Sequence, residues 1–219
     1  RAATPEAFAR RGLQAMPSDG VLTVNVPGVV SGWDALLARF GTLSMASALA
    51  PAIRYAHEGF PVAELMANEW AEAAPRLAQD PAAMATFLPH GTAPAMGGIF
   101  SNRRLATSLE LIARDGPDAF YRGPIATAIE ADMRARDGLL TADDFASHTP
   151  DWVDTIHVNY RGVDVHEMPP STQGFVALEM LNILEGYPLK ELGWHSAQAV
   201  HYQIEAMRHA YVDRNSYLG

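Results

Sequence analysis

The sequence predicts an α+β chain dominated by helices, on three observations. Apolar residues recur at three- and four-residue spacing in most stretches between glycines and prolines, the period of a helix with one buried face. Strand-like alternation bounded by turn residues is confined to a short segment near the N-terminus and to residues 152–168. Hydrophobic residues make up 48% and charged residues 19% of 219 positions, the balance of an ordinary globular protein with material for a full core. That length allows one large domain or two small ones. With no repeat, low-complexity tract or linker, residues 1–219 read as a single domain.

Thr4-Pro5-Glu6 starts a first helix, with Thr4 as N-cap and Pro5 in the first turn, running to about Gln14. Pro17-Ser18-Asp19-Gly20 is a turn, and Val21–Val26 alternates as a short strand. Trp33, Leu36, Leu37 and Phe40 place a helix over residues 30–40. Ser44 caps the next, Met45 to His57, and a third spans Val62 to Ala78, with Pro75 expected to bend it or end it early. Residues 80–100 read as loop. Helices follow over residues 103–114, with Leu105, Leu109 and Ile112 on one face, and over 125–136. Thr141 then caps an acidic first turn at Asp143 and Asp144. Residues 152–160 and 163–168 flank Arg161-Gly162 as a hairpin. Helices from about Gln173 to Leu184 and from Ala197 to Tyr211 close the pattern.

The chemistry that composition excludes is considerable. Sixteen Lys and Arg against 25 Asp and Glu give −9, with no basic stripe, which disfavours nucleic acid as a partner. No apolar run approaches the roughly 18 residues of a membrane span. Without cysteine there is no disulfide, thiol nucleophile or thiolate metal site. His201, Glu205 and His209 share a helix face, but HExxH order is absent. They read as a solvated face, with Ile204, Met207 and Tyr211 packing the other side, and no metal is assigned. Val30-Ser31-Gly32 is not the strand-to-helix elbow of a serine hydrolase and reads as a helix-start serine. Met168-Pro169-Pro170-Ser171-Thr172-Gln173-Gly174 leaves a strand and enters a helix. The unpaired N–H groups of a helix start can hold a carboxylate, and Ser171 and Thr172 are candidate substrate-binding donors there. The plainer reading is that both hydroxyls cap the helix.

Three stretches together resemble the γ-glutamyltransferase family. The first is Val26-Pro27-Gly28-Val29-Val30-Ser31-Gly32-Trp33, continued by Leu49-Ala50-Pro51-Ala52-Ile53 and Glu58-Gly59-Phe60-Pro61-Val62. The second is Gly138-Leu139-Leu140-Thr141-Ala142-Asp143-Asp144-Phe145. The third joins Met168 to Gly174 with Met180-Leu181-Asn182-Ile183-Leu184-Glu185, Glu205-Ala206 and Asp213-Arg214-Asn215-Ser216-Tyr217-Leu218-Gly219. In this order they cover nearly the whole chain. The resemblance implies an N-terminal-nucleophile hydrolase, a four-layer αββα sandwich of which this chain is the mostly helical large-subunit part. It implies a self-cleaving precursor and a partner, the small subunit, whose N-terminal threonine attacks γ-glutamyl amides such as glutathione. No cofactor is implied.

The family's threonine nucleophile is expected beyond Tyr217-Leu218-Gly219, and its carboxylate-clamping arginine before Ala2-Ala3-Thr4-Pro5. No catalytic residue is therefore assigned within the chain, and Arg1 is not given that role. The chain opens on Arg1 without an export segment and stops without a polar taper, so it reads as an internal piece of a longer protein. The resemblance implies a periplasmic or extracellular location. One departure stands out. Where many members carry Pro-Pro-Ser-Ser-Gly-Gly, this chain has Pro170-Ser171-Thr172-Gln173-Gly174, similar to a bacterial branch that includes acylases of cephalosporin-like amides. The alternatives to a γ-glutamyl enzyme are a cephalosporin- or glutaryl-type amide acylase of the same fold and, in a different class, a catalytically inactive family member or a helical binding module.

Overall fold

The computed structural model describes residues 2–218. Contacts gather into two compact units, Arg1–Pro150 and Asp151–Gly219.

The first unit is a helical assembly. Helix α1, Pro5–Arg10, begins as expected, with the Ala7 N–H donated to Thr4 Oγ1 at 3.2 Å. It ends before Gln14 because the chain turns back at Gly12, whose φ is 76°. The N–H of Leu13 bonds Phe8 O and that of Gly12 bonds Ala9 O, a Schellman closure that needs a residue with positive φ. Residues Val21–Thr23 form a 3₁₀ turn instead of a strand. Both the N–H and the hydroxyl of Thr23 bond Gly20 O, and no described segment pairs with it.

Helices α2, Val29–Phe40, and α3, Met45–Glu58, follow, the latter capped by Ser44 Oγ on the Ser47 N–H at 3.1 Å. A two-residue strand β1, Phe60–Pro61, precedes α4, Glu64–Leu77. Pro75 falls in the last turn of α4, which ends two residues later, so its missing N–H costs a single helical bond. The expected loop over 80–100 contains α5, Pro81–Phe87, started by Asp80 Oδ1 accepting the Ala83 N–H at 2.8 Å with Pro81 behind it. It also contains β2, Ile99–Phe100, antiparallel to β1. Trp70 of α4 packs edge-on against Phe100 at 4.7 Å and holds this junction.

Helices α6, Arg103–Asp115; α7, Asp118–Tyr121; α8, Pro124–Ala135; and α9, Ala142–Ala146, complete the unit. Leu109 and Ile112 of α6 are buried as the spacing required, with Ala106 beside them, whereas Leu105 is exposed. Helix α6 packs chiefly on α3. The core is Val30, Leu49, Leu109, Ile112, Tyr121, Ala126 and Phe145.

The second unit holds the hairpin and three helices. Strands β3, Ile156–Tyr160, and β4, Val163–Glu167, pair antiparallel around Arg161 and Gly162, at φ 54° and 88°. Two positive-φ residues match the twist of the strands they join. The Arg161 guanidinium donates to Tyr187 O at 2.7 Å, placing a cation near the C-terminal end of α10, Gly174–Glu185. Helix α11, Leu189–Leu192, leads to α12, Ala197–Tyr217, which continues past Tyr211 because no glycine or proline interrupts it.

Helices α10 and α12 pack together. Val176, Leu178 and Leu184 of α10 and Ala199, Ala206 and Ala210 of α12 are buried. This corrects the expected face of α12: Ile204, Met207 and Tyr211 are exposed, and small alanines make its buried face. No described helix is long and apolar enough to cross a membrane.

Candidate functional site

The junction Met168–Gly174 runs from β4 into α10, as the sequence predicted. Ser171 and Thr172 are both exposed there, but neither caps the helix. The N-cap position is Gln173, and α10 has no side-chain cap bond. Thr172 Oγ1 instead donates back to Met168 O at 2.9 Å and Pro169 O at 3.0 Å, and its N–H bonds Pro169 O. The capping role expected of these hydroxyls is thus corrected. One closes the loop on itself, and that of Ser171 has no hydrogen-bond partner among the described residues. No side chain caps the first turn of α10, where the Val176 N–H bonds Gln173 O, and an uncapped helix start can receive a carboxylate.

Three neighbours shape this junction. Gln173 Oε1 accepts Arg214 Nε of α12 at 3.0 Å, fixing the loop to the longer helix. Gly174 is pressed against the end of β4. A Cβ there would lie 2.7 Å from Glu167 Cβ, 2.8 Å from its Oε2 and 2.9 Å from Met168 O. Further along α10, Glu179 faces Asp213 and His209 of α12. Burial, followed by a shared hydrogen bond and charge repulsion with Asp213, raises the Glu179 carboxyl above its ordinary value, against a smaller lowering by His209.

A raised carboxyl stabilises the fold fully below the unfolded value near 4.5, and that contribution is lost as pH climbs through the folded value. Glu179→Gln is therefore expected to raise the melting temperature slightly at pH 7.5, the effect being small because water screens this partly exposed group. Thermal melts at pH 7.5 and pH 3 check this: the gain should shrink at pH 3, well below the unfolded value near 4.5.

The remaining sequence candidates resolve as structure. Asp144 accepts the N–H and hydroxyl of Thr141 at 3.0 and 2.8 Å, which is helix-start chemistry. Glu205 pairs with Arg208 at 2.8 Å, and the ring of His201 lies against Tyr202. Among the described residues no group of three or more His, Cys, Asp or Glu is placed to hold a metal ion. Arg1 lies outside the described residues.

Ser31 gains partners that its sequence context concealed. Its hydroxyl donates to Gly28 O at 2.8 Å and lies 3.0 Å from His148 Nε2. Its N–H donates to the Tyr121 hydroxyl, which itself donates to Pro27 O. With the Ser31 proton committed to a carbonyl, the ring nitrogen must be the donor to Oγ. This is a latch on the start of α2 and not an activated nucleophile. Only the tertiary fold brings residues 117 positions apart together.

The helical assembly and the strand–loop–helix junction define a class. The gamma-glutamyltranspeptidase family model matches residues 1–219, and the chain belongs to that family. It has the family's α+β N-terminal-nucleophile hydrolase fold, as a mostly helical portion.

Among its relatives is a glutathione hydrolase proenzyme of Pseudomonas sp. (strain A14), 42% identical over 91% of this chain and 35% of that protein. The gamma-glutamyltranspeptidase of Helicobacter pylori superposes with a TM-score of 0.84 at 32% identity, over 94% of this chain and 60% of that one. The cephalosporin acylase of Bacillus halodurans superposes with a TM-score of 0.86 at 40% identity, over 96% and 40%. The chain therefore spans about a third of the length of the Pseudomonas relative.

Proposed function

We propose that this chain is the large-subunit part of a self-cleaving enzyme that hydrolyses or transfers γ-glutamyl groups. The observation that carries the reading is the family match across all of residues 1–219. The partner is the small subunit of the same precursor, and the donor is a glutathione-like γ-glutamyl compound. The small subunit's N-terminal threonine attacks the γ-amide carbonyl, with its own α-amine taking the proton. Backbone N–H groups hold the tetrahedral oxyanion, and water or an amine resolves the γ-glutamyl ester. Ser171 and the uncapped start of α10 form a wall suited to a carboxylate, with Thr172 closing the loop behind them through its bonds to Met168 O and Pro169 O. This chemistry needs no cofactor. The enzyme works in the periplasm or outside the cell, which osmotic-shock fractionation tests.

Incubating the full-length protein with γ-glutamyl-p-nitroanilide, beside a denaturing gel, tests the activity. Two bands with nitroaniline release are expected, accelerated by glycylglycine if transfer dominates. A second reading, a cephalosporin or glutaryl-type amide acylase, is favoured by the higher identity to the acylase structure, 40% against 32%. Two bands with release only from glutaryl amides would select it. One uncleaved, inactive band would count against both and leave only the fold.

A further inference from the structure

We propose that His157 and His166 form a divalent transition-metal site on the open face of the β3–β4 hairpin, two imidazoles completed by water. The two residues are direct cross-strand partners. The hairpin closes through a two-residue turn, so Tyr160 and Val163 beside it are the hydrogen-bonded pair. Alternation then makes His157 and His166 a non-hydrogen-bonded pair, whose side chains approach more closely. Both are exposed, and their rings stack with centroids 4.9 Å apart and planes 22° apart. Two zinc–nitrogen bonds of about 2.0–2.1 Å require ring nitrogens roughly 3 Å apart. The His157 ring, which makes no hydrogen bond among the described residues, turns about its Cβ–Cγ bond to bring a nitrogen toward Nε2 of His166, whose own ring stays held by Thr155.

A supporting bond is already present. Thr155 Oγ1 lies 3.0 Å from His166 Nδ1. When Nδ1–H donates to that oxygen, the lone pair of Nε2 is left for an ion, the arrangement that usually orients a metal-binding imidazole. Asp164 sits on the same face, held by Asn159 Nδ2 at 2.7 Å, and adds negative charge beside the pair. Imidazole ligands suit copper, nickel and zinc better than magnesium or calcium, and copper binds most tightly. Two protein ligands leave open coordination positions, so the ion exchanges with solvent and links the two strands while bound.

Titrating the metal-stripped full-length protein with CuCl2, ZnCl2 and MgCl2, by calorimetry and thermal melts, tests the site. One saturable copper equivalent with a raised Tm, weaker zinc binding and no magnesium response are expected. His157→Gln and His166→Gln should each abolish that equivalent, both being exposed positions that leave the fold intact. Thr155→Val should keep the stoichiometry and weaken binding by about tenfold. Unchanged copper binding in the doubly substituted protein overturns the proposal. So does loss on replacing one histidine but not the other, since a chelate needs both.

Discussion

Replacing Phe145 with alanine is expected to destabilise the first unit by about 3 to 5 kcal/mol, the range for deleting a buried aromatic side chain. Phe145 is 0% exposed and is the largest fully buried side chain among the described residues. It comes from the short helix α9 and enters a core built from α2, α3, α6, α7 and α8, with Phe120 6.1 Å away ring to ring. A five-residue helix cannot sustain itself, so its position depends on this anchor. Urea denaturation of the alanine variant should show a lower midpoint with little change in slope. Phe145→Leu, which keeps most of the volume, should lose less than about 1.5 kcal/mol. Equal losses in the two variants would mean that cavity size does not govern the cost.

At the candidate site, Gly174→Ala is expected to cost about 1 to 3 kcal/mol in the second unit, the range for overpacking. It should also lower γ-glutamyl-p-nitroanilide turnover. The backbone of Gly174 is helical, so conformational freedom is not the reason for glycine here. The reason is close approach: the new methyl would meet the Glu167 side chain and the Met168 carbonyl at under 3 Å. Relief requires the 168–173 loop to move, carrying Ser171 and Thr172 with it. Truncating the neighbour as well, in a Glu167→Ala/Gly174→Ala protein, removes the contact with Glu167 Oε2 and should recover part of the stability. An alanine variant with wild-type Tm and turnover would show that the strand end yields without cost and leaves the loop in place.

Much of the fold was legible because its signals are local. Thr4, Ser44 and Thr141 mark helix starts through bonds that reach three residues along the chain. Arg161-Gly162 marks the hairpin through two backbone angles. Helix α5 was local too, with Asp80-Pro81 as its start, but the prolines and glycines around it masked the signal. The strand expected at residues 21–26 failed for the opposite reason. Alternation states a preference, and a strand exists only where another segment supplies the ladder.

For the candidate site, sequence located the junction and its residue types but not their contacts. It placed Ser171 and Thr172 at the start of α10, yet the Thr172 hydroxyl has competing acceptors within four residues, and only the loop's path decides between them. Gln173–Arg214, Glu179–Asp213, Ser31–His148 and His157–His166 join residues from 9 to 117 positions apart.

By itself, then, the sequence determined the element types, most helix starts, the hairpin turn and the family, all carried by short-range bonds or by ordered stretches along the chain. Tertiary structure alone decided the division into two units, the alanine face on which α12 packs, the close contact at Gly174 and the pairs of distant side chains. Those depend on which surfaces meet, and a meeting of surfaces is set by the packing of the whole unit, not by any window of neighbouring residues.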